Sequence, residues 1–259
     1  MNRLRTTLYT AAVFCALVPL AAPADTPSIG LTLNGLFGNY NTGRGATNVP
    51  LLPIPIVRVR VPVKRFELFA EGLPPIGPLS YSDGRGGSQA TRVSYGVAEA
   101  RYSFDEERYT VGVGESLLNQ VTYFRRPGPI EQSSRVAGFR MSARVRLSSG
   151  LRDRTDLTVA ASPRMHAVQR TAVYPISNVC LPFVPPSQCR PQVFGFNDPE
   201  DASLIDASLA RTHALGSLNI SYGVRYMNYV AHYPLPGNPQ ADHERFVMPF
   251  VGLDSSLGH

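Results

Sequence analysis

Asp242 and His243 stand side by side in the stretch QADHERF. A carboxylate beside an imidazole is the raw material for activating water as a general base, and Asp83, Asp198 and Asp201 offer further acids in other connecting segments. Adjacent residues of an extended chain point to opposite faces, however, which hinders the aspartate from orienting the histidine. His166, His213 and His232 lie in segments with strand-like alternation, and none has a serine two residues away, so no nucleophile and base share one strand face. The histidines are too scattered to form a metal set, and Cys180 and Cys189 lack further ligands at zinc spacing, so no metal is expected. GRGGS, residues 84 to 88, is followed by no helical pattern and reads as flexible loop, not a phosphate cradle. No cofactor is implied.

The more regular chemistry is charge. In GFRMSARVRL, residues 138 to 147, Arg140, Arg144 and Arg146 fall on one parity and Phe139, Met141, Ala143, Val145 and Leu147 on the other. Val57, Val59, Val61 and Val63 alternate in the same way with Arg58 and Arg60, and Phe66, Leu68 and Ala70 with Glu67 and Glu71, although Phe69 joins the polar side. Leu218, Ile220, Tyr222, Val224 and Tyr226 oppose Arg225, while Val247, Val251, Leu253 and Leu257 share one parity of the last segment. Charges enclosed on a common side must be paired. The expected network is Arg58, Arg60, Arg140, Arg144, Arg146, Arg164 and Arg225 with Glu67, Glu71, Asp156 and Asp206. Lys64 is the only lysine; planar guanidinium forks suit such networks, and codon usage accounts for the bias equally well. Two places resist the pattern. Glu115 and Asn119 share the parity of Val111, Val113 and Leu117, and Glu99 and Arg101 pose the same difficulty, so a bulge, a rim position or a register change is expected there.

These side chains need strands to position them. Residues 1–24 carry Arg3 and Arg5, an apolar stretch and Ala22-Pro23-Ala24, the pattern of a signal peptide, so the mature chain is expected at 25–259. Phe14 and Val13 before Cys15 argue against lipid anchoring. In an exported chain Cys180 and Cys189 are expected to form a disulfide. Beyond the signal, 23 basic and 19 acidic residues remain, too small an excess to imply nucleic acid. No later run is long and apolar enough for a spanning helix. Ten segments alternate with period two, at about 28–40, 54–63, 65–73, 89–104, 108–125, 133–148, 154–174, 202–213, 216–233 and 244–259. Their links alternate between long, proline-bearing ones, such as NTGRGATNVPLLP and 175–201, and short ones, such as Lys64, DEE and ALG.

Short turns at one end, large loops at the other and an even strand count resemble small Gram-negative outer-membrane β-barrel proteins. The resemblance implies an all-β, antiparallel, up-and-down transmembrane barrel of about ten strands in the outer membrane. It also implies outer-membrane lipid and the barrel assembly machinery as partners. His259 stands where such proteins usually end in an aromatic residue. Ten strands enclose little space, so the charge network is expected to plug the lumen, leaving at most a narrow, porin-like passage for small solutes. The expected function is non-enzymatic: envelope structure, surface interaction or slow solute passage. Segment 175–201, with Pro182, Pro185, Pro186 and Pro191 and with Phe183, Phe194 and Phe196, is a candidate surface-contact loop. Tyr40, Tyr102, Phe104, Tyr109, Tyr123, Phe124, Tyr174, Tyr229, Tyr233 and Phe246 are candidate interfacial girdles. Two alternatives are a soluble exported barrel that turns the valine parity inward around an apolar ligand, and a rim hydrolase of the omptin type using Asp242 and His243.

Overall fold

The computed structural model describes residues 26–42, 45–73, 79–82, 88–124, 130–150, 152–173, 198–232 and 242–257. The expected signal peptide, both cysteines of the expected disulfide, residues 84–87 and His259 lie outside the described residues, as does all of 175–201 but its last four positions. The strands are β1 (Ser28–Thr42), β2 (Gly45–Val63), β3 (Phe66–Leu73), β4 (Leu79–Ser82), β5 (Ser88–Phe104), β6 (Tyr109–Phe124), β7 (Ile130–Ser149), β8 (Asp153–Val173), β9 (Asp198–Leu215), β10 (Leu218–His232) and β11 (Asp242–Ser256). Each is antiparallel to its neighbours, and β1 pairs with β11 to close the sheet. β3 and β4 both pair with β5, at Tyr95–Tyr102 and at Ser88–Thr91 respectively, and so form one interrupted strand. The result is a closed ten-stranded antiparallel barrel, with all ten expected segments in place.

One connection departs from expectation. NTGRGATNVPLLP is mostly strand, since β1 runs to Thr42, β2 starts at Gly45, and those two residues pair. Pro53 and Pro55 are accommodated in β2 because the described ladder from β2 to β3 stops at Val57 and Gly72, which leaves no partner on that side to miss their N–H groups. Short turns occupy the other end of the barrel, with Gly216 at φ +66° and Lys64 at +57°.

Register sets the tilt. A row of paired residues that starts at Gly30 runs through Arg58, Glu71, Val97, Ser116, Gly138, Met165, Ala202, Ala231 and Asp242. It meets β1 again one step beyond the Asn41–His243 pair, at the level of Thr42, twelve residues above Gly30. That stagger in a ten-stranded barrel corresponds to strands tilted by about 40°.

Period two then sorts the side chains. Outward faces carry Leu31, Leu33, Val113, Met141, Val224, Val251 and Leu253, all close to or above half exposed, while Glu99, Arg140, Asp206 and Arg225 are buried inside. The soluble alternative required the opposite, valines in and arginines out, and the structure reverses that assignment. Along β11 the apolar face runs from Val247 to Leu257, which at the strand rise and this tilt makes a band about 25 Å tall. Phe66, Tyr102, Phe104 and Tyr109 form a chain of ring contacts 5.0 to 6.5 Å apart at its short-turn edge, matching three of the girdle candidates. Tyr229 does not join a girdle; it is buried in the interior.

The turn between β5 and β6 holds three consecutive non-glycine residues at positive φ, namely Asp105, Glu106 and Glu107. L-residues pay about 1 kcal/mol or more for that conformation. Glu106→Gly is therefore expected to stabilise the barrel by about 1 kcal/mol, read as a shift in the midpoint of reversible urea unfolding; an unchanged or lowered midpoint would contradict the account.

Candidate functional site

The interior is layered along the barrel axis. The central layer is ionic: four arginines and four carboxylates on six strands. Arg140 on β7 donates from Nε to Glu99 Oε1 at 2.6 Å and from Nη2 to Asp206 Oδ2 at 2.9 Å. Arg101 on β5 donates to the other oxygen of Glu99 at 2.7 Å and to Glu67 at 3.2 Å. Arg225 on β10 bonds Asp206 through Nε at 2.8 Å and again through Nη2, and reaches Glu71 at 2.6 Å and the Tyr95 hydroxyl at 2.8 Å. Arg58 lies 3.6 Å from Glu71. Ser142 adds a hydrogen bond to Glu99 at 2.9 Å. Aromatic faces complete the lining, with the Arg101 guanidinium 3.3 Å from the centre of the Phe69 ring and Arg225 5.4 Å from that of Tyr95. Shared carboxylates and stacked guanidinium planes are what desolvated charge requires.

Toward the long-loop end the lining turns apolar. Ile54, Leu73, Val97, Val136, Met165, Leu204, Tyr229 and Ala231 pack into one buried cluster drawn from seven strands. Toward the short-turn end it turns cationic, with Arg60, Arg144, Arg146, Arg154 and the carboxylate Asp156, and with Asp254 of β11 beside Arg58 across Gly30. Arg144 donates to the Thr110 hydroxyl at 2.8 Å, and Arg146 to the exposed Glu107 at 2.9 Å. Small residues make the room: a Cβ on Gly112 would lie against Ser142 Oγ, 3.0 Å from Arg101 Cγ and 3.2 Å from Glu99 Oε2.

Ten of the eleven expected network residues face this interior: Arg58, Arg60, Glu67, Glu71, Arg140, Arg144, Arg146, Asp156, Asp206 and Arg225. Arg164 does not. The pairing of β8 shifts between Ser162 and Met165, and Arg164 falls in that bulge and is exposed. Pro163, which has no N–H for the ladder, is the local cause. Charged interior residues missing from the sequence-derived set include Glu99, Arg101, Arg154, Asp254 and Glu244. Glu99 and Arg101 reach the interior without any register change, because Val97 faces inward with them and Ala98 and Ala100 face out. The charges of VAEARYS, and not its valine, mark the lumen side. Glu115 likewise needs no bulge; it is exposed on the outer face between Ala98 and Phe139. Asn119 is bonded across strands to Ser94 at 3.2 Å.

The residues considered for hydrolysis remain apart from this network. Asp242 and His243 are consecutive residues of β11, paired with Ala231 and Val230 of β10. His213 bonds Asp153 at 2.7 Å at the short-turn rim, with both side chains well exposed, and His166 stands opposite Asp201 in the β8–β9 register. Among the described residues, no group of three or more His, Cys, Asp or Glu is arranged to hold a metal.

Asp206 is the joint between Arg140 and Arg225. Asp206→Asn leaves two buried guanidinium groups short of charge and is expected to cost about 3–5 kcal/mol, whereas Asp206→Leu combined with Arg140→Met and Arg225→Leu is expected to cost less than Asp206→Asn alone. Urea titration of the refolded barrel measures both, and a single-variant loss under about 1 kcal/mol would deny the network its structural weight.

No family model matches this sequence, and no curated protein matches it. In fold, the chain is similar to the outer membrane protease OmpT from Escherichia coli, with a TM-score of 0.57 at 8% identity over 92% of this chain and 99% of that one. Weaker likenesses include the β domain of the Bordetella autotransporter BrkA, at 0.47 and 11% identity over 90% and 100% of the two chains. Neisserial surface protein A gives 0.37 at 8% identity over 91% and 100%. The fold is that of Gram-negative outer-membrane barrels.

Proposed function

We propose that the protein is an outer-membrane barrel with a closed lumen and no catalytic role, whose work is structural or surface-interactive. The observation that carries this reading is the inverted distribution of polarity. Large apolar side chains stand exposed around the barrel in a band of bilayer height, interrupted at Glu115, and the network of Glu99, Arg140, Asp206 and Arg225 is buried inside. In water such a surface would be far beyond what a soluble monomer exposes. Lipid is its natural solvent.

Closure follows from two layers in series. The ionic layer spans the lumen, and above it the apolar cluster fills the interior, its polar neighbours Asn34, Ser116 and Ser162 hydrogen-bonded within the wall. Strands of 15 to 21 residues, such as β1, β8 and β10, exceed the nine to eleven that cross a bilayer. Because the apolar band begins at the short turns, the excess projects on the long-loop side, taken here as the cell exterior. That wall would present segment 175–201 to a surface partner. A proteolytic role gains no support from Asp242 and His243, which are consecutive residues of one strand.

Two measurements test the reading. Val251→Arg, at mid-band, is expected to cost about 2–4 kcal/mol on folding into vesicles and Leu257→Arg, at the edge, about 1 kcal/mol or less; equal, negligible costs would contradict membrane residence. In planar bilayers the wild type is expected to insert without steady current. Arg140→Ala alone is expected to stay closed, since the apolar layer remains, and Arg140→Ala with Met165→Ala and Leu204→Ala to conduct. A steady wild-type current would overturn closure.

A further inference from the structure

The charges of the lumen are not evenly matched along its axis. In the central layer Arg58, Arg101, Arg140 and Arg225 meet Glu67, Glu71, Glu99 and Asp206 one for one. Below it lie Arg60, Arg144, Arg146 and Arg154, of which Arg146 and Arg154 share Asp156, while Asp254 stands beside Arg58 across Gly30 and Glu107 is out at the rim. Asp156 holds its arginines only at 3.4 and 3.8 Å, and among the described residues Arg60 and Arg144 form no salt bridge. The Nε of Arg60 is buried with no hydrogen bond, and that of Arg154 has only the 3.4 Å contact to Asp156. Arg60 on β2 repels Arg144 on β7 and Arg154 on β8, and Glu67, which also attracts Arg60 and Arg144, is already bonded to Arg101 at 3.2 Å. These three line the short-turn part of a cavity of about 90 Å³, several times the space one water needs, whose whole wall carries seven arginines against the four carboxylates Glu71, Asp156, Asp206 and Asp254.

Like charges turned toward a shared space with spare donors lack an acceptor. We infer that the short-turn half of the lumen is a binding site for a small soluble oxyanion of the phosphate class, gripped by Arg60, Arg144 and Arg154. Guanidinium groups from two sides of the barrel offer forked donors to a tetrahedral anion. A lipid headgroup cannot enter, because ten hydrogen-bonded strands wall the site. The anion therefore comes from the aqueous phase at the short-turn end.

The test is calorimetric titration of inorganic phosphate into the refolded full chain in detergent, against chloride at equal ionic strength. Arg60→Met and Arg144→Met are suitable variants because neither leaves a carboxylate stripped of a salt bridge; circular dichroism verifies the barrel, and Arg60→Lys retains the charge if Arg60→Met misfolds. The exposed rim residue Arg211, whose side chain is 55% accessible, supplies the control Arg211→Met. Saturable phosphate binding is expected, weakened about tenfold or more by Arg60→Met and by Arg144→Met and unmoved by Arg211→Met. Phosphate heats indistinguishable from chloride, or binding equal in all the variants, would overturn the proposal.

Discussion

Everything inside this barrel depends on one constraint: ten strands closing on themselves leave too little width for water to solvate the charges that period two turns inward. The guanidinium groups of the central layer find counter-charges largely on other strands. The pairing of Arg140 with Glu99 and Asp206, and of Arg225 with Asp206 and Glu71, is therefore what permits the closed sheet to exist with these side chains. Arginine serves this better than lysine, because one planar group reaches two carboxylates and lies over a ring, as Arg101 does over Phe69.

The stagger of the sheet decides who meets whom. A row that begins near the short-turn end of β1 climbs twelve residues before it returns. Residues far apart in the chain consequently reach one height, and Arg225 of β10 bonds Glu71 of β3 across the lumen. The same climb places Arg60 and Arg154, each near a short turn, below that level.

Much of this was legible in the sequence where a strand repeats one rule over several turns of the pleat. GFRMSARVRL and PIVRVRVPV declare both faces, and the structure places their arginines inside. Legibility failed where apolar residues occupy both faces. In VSYGVAEARYSF the outward positions hold small alanines and the inward ones include Val97 and Tyr95, so reading valine as lipid-facing displaced Glu99 and Arg101 from the network they anchor. It failed again at Ser162-Pro163-Arg164, where a bulge changes parity and no single-strand pattern can count through it. A strand end was misjudged around Pro50 and Pro53, because whether a proline ends a strand depends on whether a neighbour is there to pair with. The apolar cluster was invisible for a related reason: Ile54, Leu73, Val136 and Leu204 assemble only once the barrel closes.

The order of the layers carries its own logic. An ionic network open to water on both sides would be weakened by screening and by exchange of partners. Sealing one side with Met165, Leu204, Val136 and Tyr229 lowers the local dielectric, and each charge-assisted bond in the layer gains strength from its dry neighbour. The apolar layer in turn needs a polar floor, because a wholly apolar interior could not satisfy arginines that the strands direct inward. Each layer thus supplies the environment that makes the other stable. With the middle of the lumen committed to that mutual support, the places left to meet other molecules are its two ends: the wall of extended strands at the long-loop end and the cationic chamber at the other.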